Sequence, residues 1–177
     1  MKIKFSWGLK FQDNIFLCIL VCNLLFVAHL GTDIYHEAVK LDVAKANGES
    51  FLTWAGEFKK NIDENITPSP QACLPKGISK EDHTWKECLQ TLLGDKGKFH
   101  NLKNPIDESN PLVAKICSKK DESSKGSFIF EKINISPSGI PIYSPLEDSE
   151  ILVKGLMYRL SVCDRGYYRI LIGEITL

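Results

Sequence analysis

Among 177 residues, 22 Lys and Arg balance 22 Asp and Glu, giving a formal net charge of zero, and 44% of the chain is hydrophobic. No cluster of five basic residues occurs, which excludes the patch a nucleic-acid partner needs for phosphate neutralisation. About 145 residues follow the first apolar run, enough for one domain with its own core and too few for two.

The chain opens with a short basic leader, residues 1–8, and then an apolar run, Ile15–Leu30, broken only by Asn23 and His29. As a helix, the run reaches roughly 24 Å at about 1.5 Å per residue, slightly less than a hydrocarbon core of ~30 Å, and Phe11 extends it. Lys2, Lys4 and Lys10 precede it, whereas Asp33 and Glu37 follow. The positive-inside rule therefore keeps the N-terminus cytoplasmic and exports the rest, making the chain a single-pass protein of the cytoplasmic (inner) membrane with a periplasmic or extracellular C-terminal domain. Residues 9–31 form the expected transmembrane segment. A cleaved secretory signal is one reading of it, served poorly by Val27-Ala28-His29-Leu30-Gly31 as a cleavage pattern. A permanent signal anchor embedded in membrane lipid is a second.

From Thr32 to about Asn65 there is no proline, and Ile34, Ala38, Leu41, Phe51, Ala55, Phe58 and Ile62 recur at helical spacing. The pattern predicts a helical stalk over residues 32–67, with Asn47-Gly48 as a kink or as a cap before a second helix opened by Ser50. Thr67-Pro68-Ser69-Pro70 leads into a head of residues 68–177. A second helix is expected from Lys80 to Leu93, with Ser79 as N-cap, Asp82 three residues on and Gly94 at its end. Asn110-Pro111 suggests a short helix reaching Ile116. Alternation then predicts strands at Phe128–Ile135, within Glu150–Cys163 and at Tyr167–Leu177, the last two joined through Asp164-Arg165-Gly166, with Pro141–Asp148 as loop. The fold class is α+β, a long N-terminal transmembrane-plus-amphipathic helix packed on a C-terminal antiparallel sheet of three or four strands.

Cys18 and Cys22 lie one turn apart in the apolar run and read as packing residues. Cys73, Cys88, Cys117 and Cys163 lie beyond it, and an even number in an exported domain implies two disulfides. Of three pairings, Cys73–Cys88 with Cys117–Cys163 is favoured, the first closing a local loop and the second stapling a middle segment to a C-terminal strand. No C-x-x-C pair exists, so no metal is expected. His36, His83 and His100 are scattered on polar segments, and no G-x-S-x-G, H-E-x-x-H or phosphate-cradling loop is present, which points away from an enzyme and from any cofactor.

Met1–Gly8 followed by Leu9-Lys10-Phe11-Gln12-Asp13 resembles the leader of type IV prepilins and pseudopilins, in which a brief basic leader ends in Gly and an acid stands fifth in the mature chain. Leu9 replaces the usual Phe, and Lys10 and Gln12 stand where that family has Thr or apolar residues. The order of helix, disulfide-bearing middle and C-terminal sheet is also the pilin order. In particular, the segments around Trp85-Lys86-Glu87-Cys88 and Val162-Cys163-Asp164 look like minor-pilin heads. The resemblance implies cleavage between Gly8 and Leu9 by a prepilin peptidase, pairing of Asp13 with a neighbouring subunit's N-terminal amine, and assembly with other pilin-like subunits into a type IV pilus-like filament or secretion pseudopilus. The reading from another class is a permanently signal-anchored periplasmic binding or sensor domain that never polymerises.

Overall fold

The computed structural model describes residues 11–79 and 81–176, with the side chains of residues 11–14 and 33 outside that description. A first helix, α1 (Phe11–Asp63), runs unbroken for 53 residues. Two units divide the chain at Val39/Lys40. In the first, Leu24, Leu25, Phe26 and Val27 are all exposed, and the segment is long and apolar enough to cross a membrane. Two of its polar side chains bond back to the helix itself: Asn23 donates to the Ile19 carbonyl at 2.8 Å and Thr32 to that of His29 at 2.7 Å. One of the two N–H donors of the Asn23 amide is thus satisfied within the helix.

In the second unit, Ala44, Phe51, Trp54, Ala55, Phe58 and Ile62 are buried, the heptad-like stripe of a helix laid on a core. Asn47-Gly48 neither kinks nor caps α1. Gly48 is instead a point of close approach to the sheet, since a Cβ there would lie 2.2 Å from Ile172 Cδ1. Ser50 caps nothing and donates back to the Ala46 carbonyl at 2.9 Å. The helix ends in a Schellman motif. Asn65 takes φ 58°, its N–H reaches the Ile62 carbonyl, and the Ile66 N–H reaches Asn61 at 2.8 Å.

A single 3-10 turn, Gln71–Cys73, precedes α2 (Trp85–Leu93). Thr84, not Ser79, is the N-cap. Its hydroxyl accepts from the Glu87 N–H, and the Glu87 carboxylate accepts from the Thr84 N–H at 2.9 Å, a full capping box. Asp82 is too short to reach back as a Glu does, and Lys80 lies outside the described residues. Residues 111–116 form no helix, because their backbone is claimed from outside. The Pro111 carbonyl accepts from Ser127 Oγ at 2.6 Å, and the Leu112 and Ala114 backbone pairs with Phe128.

The sheet comprises β1 (Phe128–Ile135), β2 (Pro141–Pro145), β3 (Met157–Cys163) and β4 (Arg169–Thr176), all antiparallel in the order β2-β1-β3-β4. β2 falls where a loop was expected, its two prolines being admissible because it is an edge strand. Tyr143 stands opposite Ile133 in that pairing. The inner face presents Phe130 opposite Leu160 and Phe128 opposite Val162. Phe51 of α1 seats its ring 5.1 Å from that of Phe130, and Trp85 of α2 lies 4.8 Å from the same ring. Cys73 is bonded to Cys88, tying the 3-10 turn to α2, and Cys117 to Cys163, tying an irregular segment to the end of β3.

Candidate functional site

Side chains alternate along a strand, so the sheet that turns Phe128, Phe130, Leu160 and Val162 towards the helices must turn Ile129, Glu131, Arg159 and Ser161 the other way. These outward residues are not solvated in the ordinary manner: Ile129, Glu131 and Ser161 are buried. They form the floor of a cleft of about 700 Å³, flanked by Tyr143 and Pro145 of β2, by Tyr168 and Leu171 near β4, and by the segment from Lys115 to Cys117. The Cys117–Cys163 bond fixes that last wall against β3.

At the centre of the floor one carboxylate serves two guanidinium groups. Arg159 Nε donates to Glu131 Oε2 at 2.8 Å, and Arg169 Nη1 donates to the other oxygen, Oε1. The Glu131 side chain is 4% exposed, that of Arg159 is 19% and that of Arg169 is 47%. A carboxylate so far from water is tolerable only with a charged partner, and Arg159 supplies one, since an uncompensated buried charge costs several kcal/mol. The Arg159 guanidinium also lies over the Tyr143 ring, 3.6 Å from its centre, a cation–π contact that helps to hold it. Arg169 is thus in excess of what Glu131 requires. Lys115 adds no net charge, as its ammonium pairs with Glu147 at 3.0 Å, and that hydrogen bond holds it above its ordinary range.

The rim carries one conformational outlier. Tyr167 adopts φ 62°, in the left-handed region that bulky residues rarely enter. The β3–β4 turn enforces it: Asp164 Oδ1 accepts from the Tyr168 N–H at 2.7 Å, while the Asp164 N–H donates to the Tyr168 carbonyl at 3.0 Å. Lys125 stands 5.1 Å from the Tyr167 ring centre.

Gly8 and Leu9 lie outside the described residues, as does the side chain of Asp13. Cys18 and Cys22 are free and exposed on the apolar helix. Among the described residues no group of three or more His, Cys, Asp or Glu is placed to hold a metal ion. His83 is hydrogen-bonded with Ser79 at 3.2 Å, and the His100 ring with the Gly97 carbonyl at 2.9 Å. The cleft was not legible in the sequence. Within Glu150–Cys163, Arg159 and Ser161 are only the polar side of an alternation, and Glu131 and Arg169 meet them solely through the strand register. Comparison with protein-family models, curated proteins and solved structures finds no match.

Proposed function

We propose that the chain is a structural subunit of a type IV pilus-like filament or secretion pseudopilus, of the minor pilin or pseudopilin kind, anchored in the cytoplasmic membrane until it assembles. The observation that carries this reading is the continuity of α1. One helix passes without a break from an exposed apolar segment into a stripe buried under a disulfide-bonded antiparallel sheet. A helix surface of that apolarity has to be covered by lipid, or by other helices once it leaves the bilayer. In the assembled state the Asp13 carboxylate pairs with the amine that cleavage after Gly8 creates on a neighbouring subunit.

A photo-crosslinking residue in place of the exposed Leu24, in cells making the native chain, tests the coverage. Adducts with a second small membrane-anchored subunit are expected, and they should vanish on Asp13→Ala. Adducts to lipid alone overturn assembly. The second reading, a permanently anchored binding domain, is favoured by the cleft, because a mere spacer has no use for a guanidinium in excess of what the buried Glu131 requires.

A further inference from the structure

The geometry points to the outer cleft of the sheet as a binding site for a small organic monocarboxylate with an apolar or aromatic body. This goes beyond subunit assembly and does not depend on it. Glu131 needs one guanidinium and has two. Among the residues that line the cleft this leaves one net positive charge, carried by Arg169, whose side chain is half exposed; Glu174, opposite Arg159 in the β3–β4 pairing, is exposed and outside that lining. Arginine presents planar, parallel N–H donors that match the two oxygens of a carboxylate, and Glu131 together with the Tyr143 ring holds the pair of guanidiniums in place beforehand.

The charge count selects the anion. One surplus positive charge is neutralised by a monoanion, whereas a phosphate monoester, at about −1.5 to −2, leaves a negative charge unmatched. The walls select the rest of the ligand: Ile116, Tyr143, Tyr168 and Leu171 offer apolar and aromatic surface, and the volume of about 700 Å³ is within the range usual for small-molecule sites. The backbone held at Tyr167 in a sparsely populated conformation keeps the adjacent Tyr168 at the cleft's edge, where its ring is largely exposed.

Equilibrium dialysis of the detergent-solubilised full chain against labelled phenylacetate, with protein-free micelles as the blank, is the direct test. Saturable binding of one equivalent is expected, with at least tenfold weaker binding of the uncharged phenylacetamide and no displacement by equimolar inorganic phosphate. Arg169→Gln, which leaves Arg159 to neutralise Glu131, should weaken phenylacetate binding at least tenfold while the thermal unfolding midpoint of the head is kept. Absence of saturable binding to the native chain, or equal binding of acid and amide, overturns the site without reference to any variant. Displacement by phosphate overturns the choice of anion. None of these results bears on filament assembly, which the crosslinking at Leu24 reads separately.

Discussion

Thr84 and Glu87 show how much a few residues settle. Each satisfies an otherwise orphaned backbone N–H at the start of α2, and Thr84→Ala is expected to cost about 1 kcal/mol in chemical denaturation. The Thr84 backbone N–H that the Glu87 carboxylate accepts holds its pKa below the ordinary 4.5. Since the folded value is depressed, the stabilisation is complete above pH 4.5 and is lost as the pH falls through the lower, folded-state value. Glu87→Gln should therefore flatten the acid limb of a stability-against-pH curve and leave its neutral region nearly level. An unchanged acid limb contradicts the box. Asn104 has a heavier task. Buried among irregular chain, its amide donates to the Pro111 and Lys125 carbonyls at 3.1 and 2.7 Å and accepts from the Ile106 and Asp107 N–H groups. Asn104→Ala strands several of these groups at once and is expected to cost about 3 kcal/mol, read as a drop in the head's unfolding midpoint.

At the scale of elements, the close crossing of α1 over β4 depends on glycine on both sides. A Cβ at Gly48 meets Ile172 Cδ1 at 2.2 Å, and one at Gly173 meets Leu52 Cδ1 at 2.5 Å. Gly48→Ala gains about 1 kcal/mol of helix propensity, yet it should be net destabilising because it drives Ile172 off its seat. Ile172→Val removes the clashing atom, so the double variant should be more stable than the sum of the two single changes. Strict additivity contradicts the packing. This crossing also explains what could be read from the chain beforehand. The apolar stripe Phe51, Ala55, Phe58, Ile62 and the alternation at Phe128–Ile135 are local periods, so the long helix and much of the sheet were legible. Gly48 reads locally as a breaker, and only a distant strand reveals it as a point of contact. β2 was hidden by its prolines, whose tolerance depends on lying at an edge. The Glu131–Arg159–Arg169 cluster depends on two registers at once, and no spacing within one strand encodes it. The disulfides act across the same distances. With separations of 15 and 46 residues, chain-entropy arguments give about 3 and about 4 kcal/mol, so reduction should lower the unfolding midpoint markedly, with Cys117→Ser/Cys163→Ser the costlier pair of changes.

For the whole molecule, the decisive property is that a single helix belongs to two environments. Residues before Lys40 expose an apolar surface and residues after it build a core, so one half demands lipid or partner helices and the other is satisfied by its own head. The proposed filament subunit would use both halves, and it would require a new N-terminal amine to pair with Asp13. The N-terminal residue of the native membrane-extracted protein, determined by intact and peptide mass spectrometry, tests that account most directly. It predicts a chain that begins at Leu9, with its amine methylated. A chain that begins at Met1 contradicts it and leaves a permanently anchored domain.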